Sequence, residues 1–165
     1  MQSKYPSHSR PTADSPDVRK RAAQLICARL IPNDCGADAV NQLTRALRAR
    51  AQERVAMLEA MDWFVDARLR EAVLHPADDL KSAHLQLVAE WVKERRIRPL
   101  RQVGQQVPAL MDDGREILVT ILSVDASHAC YEVAPAYSQV PVIVPFECLH
   151  DLVPAAEQFE LEMCA

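Results

Sequence analysis

Apolar residues in the first 99 positions recur at steps of three and four, the spacing of one face of an α-helix. This spacing predicts a first helix from about Pro16 to Leu30, because Ser15 suits an N-cap and Pro16 suits the first helical position. The segment 31–36 is dense in turn-forming residues and should reverse the chain.

No helix-breaking residue interrupts 37–74, so the same spacing predicts one long helix, either unbroken or bent near Asp62 and Trp63. A further helix begins at Asp78 or Asp79 and ends in the basic run 93–98, where positive charge suits the negative end of the helix dipole. The first part of the chain therefore reads as a helical hairpin or bundle with short links.

After Pro99 the pattern changes to short apolar or alternating runs, which is typical of β-strands. Strands are predicted at 107–111, 116–124, 128–133 and 140–145, with a closing strand that ends near Val153 and Pro154. Asp112, Asp113 and Gly114 predict a tight hairpin between the first two strands. Pro141 and Pro145 remove ladder donors, so the fourth strand should be short or lie at an edge.

Net charge changes sign where the pattern changes. Residues 1–99 hold 17 of the 19 basic and 13 of the 23 acidic residues, whereas residues 100–165 hold two basic and ten acidic residues. The first part therefore carries +4 and the second −8. Only the first part is therefore suited to contact phosphates.

Composition excludes several classes of function. The 3 glycines are not clustered, so the chain lacks the glycine-rich loops of P-loop and dinucleotide-binding motifs. The 5 cysteines are odd in number and irregularly spaced, which favours reduced thiols. No secretory signal or membrane-length apolar run occurs, and no local catalytic motif is visible. We expect a cytoplasmic protein that is not an enzyme, needs no cofactor and does not bind membranes.

The stretch from Gly104 to Pro154 resembles small SH3-like or Sm-like β-barrels in its order of strand, hairpin, long strand and short strands. It is broadly similar to the Sm-like barrel of the Hfq RNA chaperones and the Tudor-like barrel of the ProQ RNA chaperones. With the helical spacing of the first part, this resemblance gives the expected α+β fold, in which an N-terminal helical hairpin or bundle is followed by a five-stranded small SH3-like β-barrel. Residues 1–15 would form a disordered leader, 16–99 a helical domain, 100–154 the barrel and 155–165 an acidic tail.

A second resemblance involves Asp125, Ser127 and Cys130. The run 125–130 is similar to the D-x-S-x-x-G motif of PilZ domains, with Cys130 in place of the glycine. The basic run 95–101 stands about where that family carries its phosphate-binding arginines. This resemblance implies a degenerate PilZ-type barrel that senses a ligand.

Two pairs of metal-type ligands flank the later strands. His128 and Cys130, and likewise Cys148 and His150, are two residues apart, so each pair can point to one side of a strand. The spacing differs from that of structural zinc sites, so we expect no metal and interpret these residues as core or surface side chains.

Basic and aromatic clusters are the candidate binding residues. The densest basic patches, which suit nucleic acid or a partner protein, are Arg19, Lys20 and Arg21, with Arg95, Arg96, Arg98 and Arg101. Trp63 and Phe64 have core-like spacing but also suit an interface. We therefore predict a non-enzymatic regulatory or adaptor protein that acts through protein–protein contacts or self-association. The alternatives are an RNA- or DNA-binding regulator that uses the basic patches, and the PilZ-type sensor.

Overall fold

The computed structural model describes residues 10–32, 35–111, 113–138 and 140–149. Over these residues the chain is mixed α+β, with five α-helices followed by a four-stranded antiparallel sheet, so the predicted class is confirmed. The chain divides into two compact units, residues 1–87 and 88–165, each with its own hydrophobic core. Most of the predicted leader, the closing strand near Val153 and the acidic tail lie outside the described residues.

The first helix forms as its sequence predicts. It spans Pro16–Leu30 (α1), and the Ser15 hydroxyl accepts a hydrogen bond from the Val18 N–H at 3.3 Å. The remaining helices are α2 (Ala37–Arg48), α3 (Ala51–Glu59), α4 (Ala67–Leu74) and α5 (Ala77–Arg95).

The region 37–74 is three helices rather than one, and the first break was not foreseen. Ala49 and Arg50 are extended between α2 and α3, although neither residue breaks helices. The Arg54 side chain stabilises this break by satisfying two backbone carbonyl groups. Its Nε donates to the Ala49 carbonyl at 3.0 Å, and its Nη1 donates to the Val73 carbonyl at 2.9 Å. One guanidinium therefore satisfies carbonyl groups of two segments that a straight helix would keep far apart.

Folding the chain back at these breaks builds the core of the helical unit. Its fully buried members include Val18, Ile26, Leu43, Leu58 and Val73. Thr44 is the buried polar side chain in the described part of this core, and its hydroxyl donates to the Val40 carbonyl at 2.7 Å. No helix in the described part of the chain has the length and apolar character needed to cross a membrane.

The second unit contains the sheet, whose strands pair antiparallel in sequence order. They are β1 (Gln106–Leu110), β2 (Glu116–Asp125), β3 (Cys130–Pro135) and β4 (Val142–Pro145), and a 3₁₀-helix (Phe146–Leu149) follows. The predicted first hairpin is present. Gly114 has φ of 78° and donates its N–H to the Met111 carbonyl, which closes the turn between β1 and β2.

Tyr131 and Phe146 lie at the centre of the core of the sheet unit, with ring centroids 4.3 Å apart. Trp91 of α5 is buried as well. With Val88 and Val92 it belongs to the core that also contains the inward-facing residues of the sheet. Helical periodicity identifies an apolar face but does not reveal which element covers it.

The fourth strand has only four residues and lies at an edge of the described sheet, as Pro141 and Pro145 predicted. The Phe146 N–H donates to the Ala129 carbonyl, so these two residues form a hydrogen-bonded pair. Along an antiparallel ladder, hydrogen-bonded pairs alternate with pairs that are not hydrogen-bonded to each other, and the register places Ile143 and Pro145 in pairs of the second kind. The backbone groups of Ile143 and Pro145 therefore point away from β3. Between the two prolines this edge offers a single outward N–H, that of Ile143.

Candidate protein-docking surface

The end of α3 determines where Trp63 and Phe64 lie. Asp62 has φ of 63°, and its N–H donates to the Glu59 carbonyl at 3.1 Å. The Trp63 N–H donates to the Leu58 carbonyl at 3.1 Å. These two hydrogen bonds form a Schellman motif, in which the residue after the left-handed position packs back on the helix. Trp63 accordingly packs against the helical core, and its indole N–H donates to the Gln42 side chain.

The next side chain, Phe64, is 90% exposed. A phenyl ring in water is unfavourable by roughly 1.5–3 kcal/mol relative to full burial, so such exposure needs an explanation. The sequence placed Phe64 on a helix at core-like spacing, and the break in the chain at 60–66 removes it from that face. Of the two interface candidates, Trp63 packs against the helical core, and Phe64 is the one exposed to solvent.

The segment that carries Phe64 is anchored on both sides. The Schellman motif fixes its beginning, and Asp66 fixes its end by accepting the Leu69 N–H at 2.8 Å as the N-cap of α4. Two capped helix ends four residues apart restrict the backbone between them. Phe64 is therefore presented by an ordered turn, which lowers the entropic cost of using it in a contact.

A cavity of about 440 Å³ lies beside Phe64 in the helical unit. Its walls are mainly apolar, and Asp62 is the charged side chain among its lining residues, which are Ile31, Ala39, Gln42, Met61, Asp62, Trp63 and Phe64. We call Phe64 and these walls the Phe64 surface. An exposed aromatic ring beside an apolar concavity has the form of an interaction hot spot.

The outer face of the sheet is a second exposed apolar surface. Leu118 of β2 pairs with Pro108 of β1, and Ile143 of β4 pairs with Glu132 of β3. Ile143 is 76% exposed, and Leu110 and Leu122 are also exposed. This face carries Glu116 and Glu132, and the neighbouring Arg115 is already bound to Asp113 at 2.6 Å. Phosphate groups would find little positive charge here.

The two predicted basic patches belong to different units. In the helical unit Arg19 lies 3.9 Å from Asp14, and Arg21 Nη1 donates to Gln86 Oε1 at 3.5 Å, while Lys20 is exposed. They line neither the Phe64 surface nor the cavity of about 540 Å³ between Arg29 and Asp79, which are ion-paired at 2.8 Å.

The second basic patch surrounds the end of α5, which is another Schellman motif. Arg96 has φ of 53°, and the Ile97 N–H donates to the Val92 carbonyl at 3.1 Å. Arg98 and Arg101 are exposed and Arg95 is half-buried, while the Arg101 N–H donates to the Tyr131 hydroxyl at 3.1 Å. Arg96 and Arg101 thus have backbone roles in ending a helix and satisfying a core tyrosine.

The residues with metal-type spacing, interpreted from the sequence as core or surface side chains, take part in local structure. Cys130 Sγ donates to the His128 carbonyl at 3.3 Å, Cys148 is half-buried in the 3₁₀-helix, and His150 lies outside the described residues. Across the segments that the structure describes, no three His, Cys, Asp or Glu side chains converge as metal ligands would.

The segment that resembles the PilZ motif forms the turn between β2 and β3. Asp125 Oδ1 accepts the Ser127 hydroxyl at 2.6 Å and the Ser127 and His128 N–H groups, while Oδ2 lies 2.7 Å from His128 Nδ1. Partial burial raises the pKa of Asp125, but these hydrogen bonds outweigh it and hold the pKa below its ordinary value. The carboxylate therefore organises the turn.

Comparison with known proteins adds no relative. No family model, curated protein or solved structure matches this chain.

Proposed function

We propose that this chain is a non-enzymatic cytoplasmic adaptor that binds a partner protein through the Phe64 surface. The observation that carries the proposal is an aromatic side chain, 90% exposed, on a turn capped at both ends and beside an apolar cavity. Aromatic anchors of this kind supply most of the binding energy at many interfaces.

The proposal extends to the fold of the sheet unit, which we infer to be a small five-stranded barrel. The 3₁₀-helix at Phe146–Leu149 packs beside β1, so the chain leaves it close to the edge of β1 that no described strand covers. Strand β2 has ten residues and a register shift between Ile121 and Ser123, a device that bends long strands. A strand near Val153 that pairs with β1 would close the barrel.

An RNA- or DNA-binding regulator remains the second candidate, supported by the exposed arginines at 96, 98 and 101. The chain as a whole carries a net charge of −4, which opposes binding to a polyanion, because electrostatic attraction supplies most of the non-specific affinity for nucleic acid. The adaptor proposal predicts no nucleic-acid binding tighter than about 10⁻⁶ M near physiological salt. A PilZ-type sensor is the weaker third candidate, because Asp125 is engaged within its own turn.

The decisive experiment compares the wild-type chain with Phe64→Ser in quantitative affinity capture, followed by calorimetry with the purified partner. Phe64→Ser should weaken binding at least about 30-fold, the equivalent of a hot spot of about 2 kcal/mol. Leu85→Ser is the matched control, since Leu85 is an exposed apolar residue of the same unit outside the cavity. It should bind as the wild type does.

Two results would overturn the adaptor proposal. One is a partner that Phe64→Ser retains at full affinity. The other is submicromolar binding of nucleic acid that Arg95, Arg96 and Arg98→Glu abolish, which would establish the second candidate.

A further inference from the structure

The Phe64 surface contains one charged side chain, and that side chain is an acid. Asp62 lines the cavity, whereas no basic side chain among the described residues does. The acids on either side of it are engaged, because Glu59 is ion-paired with Arg70 at 3.4 Å and the Asp66 carboxylate caps α4. Asp62 is exposed, and its carboxylate bonds to no group in the described part of the chain. The surface therefore offers one carboxylate that a partner can bind.

A partner that fills this cavity must also cover Asp62. The carboxylate stands in the same wall as the Phe64 ring, so a side chain seated beside that ring displaces water from the carboxylate. A carboxylate that loses water and gains no counter-charge weakens binding. A purely apolar partner would leave Asp62 in that state. The partner should therefore supply a positive charge at this position.

We propose that the partner of the Phe64 surface presents a basic segment, which inserts an arginine between Asp62 and Phe64. A guanidinium is planar and weakly hydrated, so it can stack on an aromatic ring while its N–H groups donate to a carboxylate. Phe64 is 90% exposed, which leaves its ring accessible for such stacking. A lysine would pair with the carboxylate as a point charge but would lack the planar stack. This inference rests on the proposed docking function.

The remaining walls of the cavity fit the rest of such a segment. Ile31, Ala39 and Met61 are apolar, and the aliphatic stem of an arginine packs well against apolar surface. The Trp63 indole N–H donates to the Gln42 side chain, which fixes the polar part of the wall. The cavity of about 440 Å³ falls within the range of about 300–1,000 Å³ for ligand pockets. We therefore expect an apolar residue next to the arginine in the partner.

Asp62→Asn separates the charge of this residue from its role in the fold. Asp62 has φ of 63°, and asparagine tolerates this left-handed conformation, so the turn that presents Phe64 is retained. Asp17→Asn is the matched control, because it removes the same charge. Asp17 is exposed in the first turn of α1, at the opposite end of that helix from Ile31.

The probe is a library of short random peptides, displayed on phage and selected against the full-length protein. Selected peptides that Phe64→Ser no longer binds should carry an arginine next to an apolar residue. For a synthetic peptide of this kind, Asp62→Asn should weaken binding at least about tenfold, and Asp17→Asn should leave it unchanged. Replacing the arginine by citrulline, its uncharged analogue, should weaken binding to the wild type equally. Asp62→Asn should then have little further effect on the citrulline peptide.

Three results would overturn the inference, and they separate it from the docking function. If the peptides that depend on Phe64 lack arginine, or bind Asp62→Asn as tightly as the wild type, the docking surface stands and its preference for arginine is refuted. If selection yields no peptide whose binding depends on Phe64, the docking function fails and the inference fails with it. Self-association of the wild type that Phe64→Ser abolishes would place a second copy on the surface in place of a basic segment.

Discussion

Replacing Gly114 by alanine isolates one backbone conformation as a source of stability in the sheet unit. Gly114 has φ of 78°, and a Cβ atom added there would meet no atom within 4 Å. Steric overlap therefore contributes nothing, and the cost is that of the left-handed conformation, roughly 1–2 kcal/mol for a residue with a Cβ. Alanine also restricts the unfolded chain, which returns about 0.4–1 kcal/mol. The net expected loss is about 1 kcal/mol.

The measurement requires a probe in the same unit. Trp91 belongs to the core of the sheet unit, so its fluorescence in a Trp63→Phe background reports on that unit. A loss of about 1 kcal/mol should lower the unfolding midpoint by roughly 4–8 °C for a unit of this size. Gly114→Asn is the matched control, because asparagine tolerates the left-handed region and should lose less. If Gly114→Ala unfolds at the same temperature as the wild type, the hairpin conformation at Gly114 is wrong.

Three further outcomes test the two cores. Trp91→Ala should cost about 3–5 kcal/mol in chemical denaturation, as expected for a large buried aromatic side chain, and an unchanged midpoint would contradict its burial. Tyr131→Phe should cost about 1 kcal/mol, since it removes the hydroxyl that accepts the Arg101 N–H; equal stability of the two proteins would show that this hydrogen bond contributes nothing. The pKa of Cys27 rises on folding from 9.0 to about 12. This group should therefore leave the free energy of unfolding unchanged below pH 9 and lower it between pH 9 and 12, by at most about 1.4 kcal/mol per pH unit. Cys27→Ala should flatten that profile, and a wild-type slope identical to that of Cys27→Ala would refute the shift.

Local signals in the sequence predicted most of the elements. Ser15 and Pro16 located the start of α1, and Gly114 located the first hairpin, because each acts through backbone atoms within three residues. The strands appeared close to the predicted positions for the same reason. Alternation fixes which side chains face inward without reference to the rest of the chain.

The missed features depend on atoms distant in sequence. The break at Ala49 and Arg50 is sustained by the Arg54 guanidinium, which reaches Val73 across the turn. The exposure of Phe64 had one local signal, since aspartate tolerates the left-handed conformation that Asp62 adopts and an apolar residue follows it. That signal is weak beside the helical periodicity on both sides.

The prolines beside β4 determine how this sheet can meet other polypeptides. Exposed strand edges are templates on which foreign strands add, and the affinity of such addition comes mainly from main-chain hydrogen bonds that any sequence can supply. With Pro141 and Pro145 flanking Ile143, the β4 edge cannot provide a continuous row of donors. The missing donors disfavour the joining of neighbouring copies, sheet to sheet, at this edge. Recognition there must proceed through side chains, which distinguish one partner from another.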